Sequence, residues 1–232
     1  MGKLAAISFD ADGTLWDFEK VMRHALGIAR GELLRATGLP SELLSIEEMV
    51  EIRNRTADEL RGRVTNLEVV RLEAFRRTLT AVGRPDDALA ERLNAVYLRH
   101  RFEDVELYPD VLPALDALRG LCPLGIVSNG NSYPERCGLE GRFAFVVFSQ
   151  DHGFEKPDRR LFEVAIRLIG CSPSELLHVG DSLRNDVYGA RLAGARSVWL
   201  NREGRANPGD TRPDFEIGDL RELIDICERL RR

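Results

Sequence analysis

The stretch Leu4–Asp17 reads LAAISFDADGTLWD. Its first half is an apolar run of strand length, and two carboxylates two residues apart, Asp10 and Asp12, follow where that strand runs out. A period of two puts alternate side chains on one side of a strand, so both acids can be aimed at one place. Gly13 lets the chain turn sharply behind them. Close like charges need a proton or a cation between them, and a hard oxygen-ligand ion such as Mg2+ meets that need. Taken alone, the same residues read equally well as a strand end closed by an Asp-Gly turn.

Apolar runs of similar length recur at Leu124–Ser128, Ala144–Phe148, Leu176–Val179 and Ser197–Leu200, with a weaker one at Asp214–Ile217. Most do not alternate, which suits strands covered on both faces. Helical patterns separate the later runs: Val111–Leu118, Arg160–Ile169 with Gly170 as its stop, and a start predicted at Ser172–Glu175 by a capping box with proline at the first helical position. Strand and helix in alternation imply a parallel sheet with right-handed crossovers. Residues 17–105 break the rhythm and hold no convincing strand. They read as helices at Lys20–Thr37, ended by Gly38 and Pro40, after the capping boxes Ser45–Glu48 and Thr65–Glu68, and at Asp86–Arg101, where Leu89, Leu93, Val96 and Tyr97 share a face. The expected organisation is an α/β core of residues 1–16 and 106–232 with a helical insertion at 17–105. Arg202–Arg212 reads as a surface loop.

Composition narrows the function. With 44% hydrophobic and 31% charged residues, the 232-residue chain reads as an ordinary soluble globular protein. A net charge of −5 argues against a generic nucleic-acid binder, which needs a basic excess to neutralise phosphates. No apolar run approaches the roughly 18 residues that span a bilayer, so no membrane partner is expected. The first ten residues are too short and too soon acidic for a signal peptide, and Ala6 breaks the myristoylation pattern that a Met-Gly start would open. Cys122, Cys137, Cys171 and Cys227 form no CxxC pair. They read as reduced, mostly buried residues of a cytoplasmic protein.

Three further motifs follow predicted strands. Ser128-Asn129-Gly130-Asn131 can present a hydroxyl and backbone amides to an anion, although in isolation an Asn-Gly turn is the simpler reading. Lys156-Pro157 offers a point charge for phosphate and a proline suited to a helix start; alone it is a surface lysine. In Gly180–Asp186, Asp181 can reach a metal at the strand end. Asp186, about one helical turn further, can orient that shell or the lysine, and both acids can equally be plain helix caps. All lie at the carboxyl ends of predicted strands, where open parallel sheets bind ligands.

In this order, and with a helical insertion directly behind the first motif, Asp10–Thr14, Ser128, Lys156 and Gly180–Asp186 resemble the four motifs of the haloacid dehalogenase superfamily, in its subfamily with a helical cap of the C1 type. The resemblance implies a Rossmann-like three-layer core with a mainly parallel sheet plus the inserted cap domain. It implies that Asp10 is the nucleophile and a Mg2+ ligand, and that Asp12 is the general acid and base with its backbone carbonyl on the metal. Ser128, Asn129 and Gly130 would hold the phosphoryl group, Lys156 would neutralise charge between it and Asp10, Asp181 would ligate Mg2+, and Asp186 would support the site from behind. In the name-giving dehalogenases the second acid of the first motif is absent and no metal is used. Asp12 therefore favours a Mg2+-dependent phosphatase that hydrolyses a small phosphorylated metabolite through a phosphoaspartate. The alternatives are a phosphomutase of the same family and, further off, a haloacid dehalogenase or a receiver-like phosphoacceptor module. The Asp10–Asp17 start, Arg71 with Phe75, and Trp199-Leu200-Asn201 look like the branch of cytoplasmic nucleotidases and N-acylneuraminate-9-phosphatases, with phosphoglycolate phosphatases nearly as similar. A monomer or homodimer is expected.

In Leu67–Val82 the residues Leu67, Val70, Ala74, Phe75, Leu79 and Val82 form one apolar stripe, with Arg71 in its middle. A buried unpaired arginine is costly. Arg71 thus either binds a distal anionic group of the substrate, or it snorkels or pairs with a glutamate of the cap. Arg53 and Arg55, near the end of the second helix of the insertion, are weaker candidates for the same role and read mostly as a solvated face. Trp16 and Trp199 read as core or cap-lining residues, His178 as a hydrogen-bonded core histidine, and His24, His100 and His152 as histidines without a partner at metal spacing.

Overall fold

The computed structural model describes residues 3–231; Met1, Gly2 and Arg232, and with them the Met-Gly start and the outermost ends of the expected core segments, lie outside the described residues. The chain forms two compact units, one from the residues up to Asp17 together with those from Glu106 onward, the other Phe18–Val105.

The second unit is helical: α1 (Phe18–Thr37), α2 (Ile46–Leu60), α3 (Leu67–Ala81) and α4 (Asp87–Glu103). Each packs on the next, and α1 also closes on α4. Amphipathic spacing drives this. α1 buries Val21, Met22, Ala25, Leu26, Ala29 and Leu33 along one face. α2 opens on its capping box: Glu48 N donates to Ser45 Oγ at 3.1 Å and Ser45 N to Glu48 Oε2 at 2.6 Å, an arrangement contributing about 1 kcal/mol. α3 differs from expectation at its start. Asn66, not Thr65, is the cap, because its side-chain oxygen accepts from both Glu68 N and Val69 N. The buried stripe of α3 is Val70, Ala74, Phe75, Thr78 and Leu79, while Leu67 and Val82 at its ends are only half-buried.

The first unit is built on six parallel strands: β1 (Ala6–Phe9), β2 (Leu124–Ser128), β3 (Phe145–Phe148), β4 (Leu176–Gly180), β5 (Arg196–Leu200) and β6 (Phe215–Ile217). Their order is β3-β2-β1-β4-β5-β6. The chain moves outward from β1 to β3 on one side, then returns to build β4 to β6 on the other. The topological switch point therefore falls between β1 and β4, which pair directly with Ser8 opposite His178 and Phe9 opposite Val179. The helices are α5 (Val111–Leu118), the single turn α6 (Ser149–His152), α7 (Arg159–Ile169), α8 (Gly189–Leu192) and α9 (Leu223–Arg231). α7 and α8 cover one face through Leu161, Phe162, Ala165 and Ala190 against Ala6, Val127, Val147 and Leu176. α5 and α9 pack together as the other layer.

Two helix starts depart from the sequence reading. The Ser172–Glu175 capping box forms, yet only one tight turn, Pro173–Glu175, follows it. Leu176 and Leu177 are already paired with β1, and the sheet overrides the local helix signal. Pro157 does not begin a helix; Asp158 caps α7 one residue later, its side chain accepting from Arg160 N. Gly170 ends α7 in the left-handed region, as its position predicted. The four cysteines are free, three buried and Cys171 half-buried. Among the described residues no helix is long and apolar enough to cross a membrane.

Candidate active site

Asp10 follows β1 and Asp181 follows β4, so the switch point brings them together. Asp186 arrives from a π-helical turn, Leu183–Tyr188, a rare geometry that recurs at functional sites. Atoms of Asp10, Asp181 and Asp186 lie within 4.8 Å of one another. Two glycines make this approach possible. A β-carbon on Gly180 would stand 2.2 Å from Asp186 Cγ, inside its van der Waals contact. Gly13, at φ +86, would carry one 2.8 Å from Asp181 Oδ2 in a conformation that side chains rarely adopt.

Lys156 enters from the loop between α6 and α7 and is 3% exposed. Its Nζ donates to Asp10 Oδ1 at 2.7 Å, Asp186 Oδ1 at 2.6 Å and the Val127 carbonyl at 2.8 Å. All three ammonium hydrogens are thereby committed. The lysine stands beside Asp10. Asn129 fixes it there. Its side chain donates to the Lys156 carbonyl at 2.9 Å and accepts from Lys156 N at 2.6 Å, so Asn129 offers an anion only its backbone. Ser128 is buried, and Gly130 N donates to its hydroxyl at 3.4 Å. The Asp12 carboxylate lies over this loop, Oδ2 being 3.0 Å from where a Gly130 β-carbon would stand.

The electrostatics follow from burial. Burial, with Asp186 and Asp181 adding to it, pushes the Asp10 carboxyl up to about 7 against the pull of Lys156. Burial and then Asp186 raise Asp181 to about 6. For Asp186 the balance tips the other way: burial alone would raise it, but Lys156 and His178 hold it far below the usual carboxylate range. Burial would lower Lys156, yet Asp10 and Asp186 more than offset that and it stays charged. One ammonium therefore faces three carboxylates, and the remaining charge is what a single divalent cation would neutralise. The all-oxygen donor set suits a hard ion. Asp10 and Asp181 are placed to hold it, since Asp186 already accepts from Lys156 and, through Oδ2, from Ser182 N at 2.9 Å.

Residues 4–194 match the family model described as haloacid dehalogenase-like hydrolase. The chain belongs to this family. Among curated relatives, a glyceraldehyde 3-phosphate phosphatase of Methanopyrus kandleri is 32% identical over 98% of both chains. Among solved structures, a 2-haloacid dehalogenase from Pseudomonas syringae superposes with a TM-score of 0.81 at 31% identity, covering 97% of this chain and 99% of that one. The hydrolase YfnB of Bacillus subtilis, solved bound to magnesium, gives 0.76 at 25% identity, covering 98% and 100%.

Around these haloacid dehalogenase-like motifs the structure adds supports that motif reading passes over. Trp16 Nε1 and Ser132 Oγ both donate to Asp12 Oδ1, at 3.0 and 3.2 Å. Trp199 Nε1 donates to the Asp181 carbonyl at 3.0 Å. Both tryptophans are buried, as expected, but their indole N–H groups hold the acids of the site. His178 is the hydrogen-bonded core histidine anticipated from sequence: Ser8 Oγ lies 2.9 Å from Nδ1 and Asp186 Oδ1 3.2 Å from Nε2. Burial, the largest influence, lowers its pKa and keeps it neutral. Ser8, His178, Asp186, Lys156 and Asp10 form one continuous buried chain.

In the helical unit, Arg71 is half-buried and shares a small cavity with Arg53, Met49, Phe75 and Tyr97. Its Nη1 donates to the Leu67 carbonyl at 3.3 Å. The charged groups bearing most on it are Arg53 and Arg101, with Tyr97. Arg53 is likewise drawn in, correcting its reading as a solvated face; Arg55 is exposed as expected. Tyr97 is fully buried and its hydroxyl makes no hydrogen bond of good geometry. Burial alone would raise that phenol, but Arg71, Arg53 and Arg101 bring it below its ordinary value. The guanidinium groups of Arg53 and Arg101 stack over Phe18 at 5.4 and 4.6 Å.

Proposed function

We propose that this protein is a Mg2+-dependent phosphatase that hydrolyses a small phosphate monoester through a phosphoaspartate on Asp10. One observation carries the reading: three carboxylates lie within 4.8 Å of one another, one ammonium is bonded to two of them, and the charge of one divalent cation is left uncompensated. A carboxylate that must attack an anionic ester needs that compensation. Asp10 and Asp181 would hold the ion, which when bound neutralises phosphoryl charge and stabilises the transition state.

Lys156 fixes Asp10 by Oδ1, which leaves Oδ2 to attack phosphorus. The P–O bond to the leaving group breaks as the Asp10–P bond forms, and Asp12 gives its proton to the departing alkoxide. In the second half, water attacks the phosphoaspartate, Asp12 takes the water proton, and Asp10 leaves with its electron pair to regenerate the carboxylate. The backbone of Ser128–Gly130 donates to the phosphoryl oxygens. Asp186 helps hold Lys156 charged from behind, and His178 in turn braces Asp186. Arg71, in the helical unit, is the candidate specificity residue for a distal anionic group of the substrate. Four free cysteines suit the cytoplasm.

The phosphatase relative supports the reading. The dehalogenase neighbour marks the rival, which Asp12, poised over the Ser128–Gly130 loop, opposes. The test is product analysis with Mg2+ over p-nitrophenyl phosphate, glyceraldehyde 3-phosphate, phosphoglycolate, sugar phosphates and nucleoside monophosphates. Released inorganic phosphate is expected. Chloride release from 2-chloropropionate without phosphate release would make the protein a dehalogenase, and an isomeric sugar phosphate would make it a mutase.

A further inference from the structure

Two histidines that lack partners at metal spacing in the sequence meet in the folded helical unit. His24 lies in the second turn of α1, His100 in the last turn of α4, and Asp104 caps that helix. His24 Nε2 stands 3.0 Å and His100 Nδ1 2.7 Å from the same atom, Asp104 Oδ2. The two rings are nearly perpendicular, at 83°, with centroids 6.4 Å apart. Two imidazole nitrogens and a carboxylate oxygen thus point at one place from different directions, within 4.8 Å of one another.

We propose that His24, His100 and Asp104 bind a divalent transition-metal ion of the zinc class, at a site separate from the acids of the core. The donor set decides the class. Two imidazoles and one carboxylate suit zinc and its neighbours, whereas Mg2+ takes oxygen ligands. Three protein ligands leave a fourth tetrahedral position for water, and the side chains, 54%, 21% and 36% exposed, admit the ion from solvent.

The geometry requires little rearrangement. Zinc–ligand bonds near 2.0–2.2 Å in a tetrahedron set ligand atoms roughly 3.3 Å apart. The hydrogen-bonded nitrogens and Oδ2 therefore spread by about half an ångström, within the reach of exposed side-chain rotations. Proton bookkeeping is also satisfied. Each ring binds through the nitrogen that now faces Asp104, and its remaining proton resides on the other nitrogen. For His100 that nitrogen is Nε2, where Arg99 Nη2 stands at 3.0 Å; Arg99 is exposed and swings clear. The site joins the first and last helices of the unit close to where the chain enters and leaves it, at Asp17/Phe18 and Val105/Glu106. A bound ion would clamp those two ends together.

The test is calorimetric titration of Zn2+ into the full chain in excess Mg2+, with Asp181→Asn as a second background that disables the core acids. One equivalent is expected to bind in both backgrounds. His24→Ala and His100→Ala, checked for fold by circular dichroism, should each weaken binding at least about tenfold. Co2+ should give the intense visible bands of nitrogen-containing tetrahedral ligation, lost in the same variants. The proposal falls if Zn2+ binding disappears in the Asp181→Asn background, if it survives unchanged in the His24→Ala/His100→Ala double variant, or if no binding is seen at all.

Discussion

Both units bury like charges, with opposite sign and in different states of readiness. In the core, Asp10, Asp181 and Asp186 cluster beside Lys156, and the lysine's bonds to Asp10, Asp186 and Val127 measure 2.6–2.8 Å. In the helical unit, Arg53, Arg71 and Arg101 surround Tyr97, and the buried Tyr97 hydroxyl and Arg53 Nε make no hydrogen bond of good geometry. The first cluster is locked by those bonds. The second is loosely tied and suits an organic anion. In the reading proposed above, the rigid groups would stand where bonds break and the adaptable ones where a substrate is recognised.

The strongest attack on this comparison is on the locked side. Asp10→Asn should reduce turnover by at least about 10⁴-fold while the melting temperature changes little, because an amide does not attack phosphorus usefully. Retained phosphate release would end the assignment of Asp10 as nucleophile. Lys156→Met should remove activity too, but with a different signature. It strands two buried carboxylates, so chemical denaturation should show a loss of about 3–5 kcal/mol. A Lys156→Met protein as stable as the parent would mean that the cluster is less tightly coupled than its hydrogen bonds indicate.

The cation should be visible through pH. The ordinary aspartate value is 3.8, and the folded metal-free protein holds Asp10 near 7 and Asp181 near 6. Over that window these two groups bind more protons in the folded state than in the unfolded chain, so their contribution to metal-free stability falls as pH rises. Mg2+ competes with those protons. Its stabilisation of the protein should therefore grow from the acid end of the window towards pH 7, and chelation should abolish turnover throughout. Melting curves with and without Mg2+ decide this; a Mg2+ effect independent of pH would separate the ion from Asp10 and Asp181.

How much of this was legible in the sequence depends on how far apart the cooperating residues lie. Asp10, Asp12, Asp181 and Asp186 are each readable because a strand and its terminal acids are neighbours in the chain, and parallel topology then gathers strand ends without further information. Lys156 was readable as a charge but not as a group with all its donors committed, since Val127 and Asp186 lie about thirty residues away on either side. The pairing of Ser8 with His178 rests on the register of β1 against β4, which no local pattern encodes. Arg53 and Arg71 sit on different helices, and only the packing of α2 on α3 joins them. His24 and Asp104 are 80 residues apart. The failed helix after Ser172 teaches the converse: a correct local signal lost to strand pairing.

The finest probe belongs to the loose side. Tyr97 should titrate below 10.0 in the folded protein, because Arg71, Arg53 and Arg101 outweigh the effect of burial. A lowered acid contributes stability that is fully present above the unfolded value and lost as pH falls through the folded one. The parent should therefore gain stability relative to Tyr97→Phe only as pH climbs towards 10. Phenolate absorbance in a difference spectrum against Tyr97→Phe reads the same proton directly. Arg71→Ala should move this titration back up, and should raise KM for the physiological substrate by roughly tenfold with a smaller change for p-nitrophenyl phosphate. A substrate-derived carboxylate or phosphate that binds the cluster should raise the phenol in the unsubstituted protein, since it cancels the charge that depresses it. If Tyr97 titrates at its ordinary value, the three guanidinium groups are already neutralised within the helical unit, and the cap has no uncompensated charge with which to select an anion.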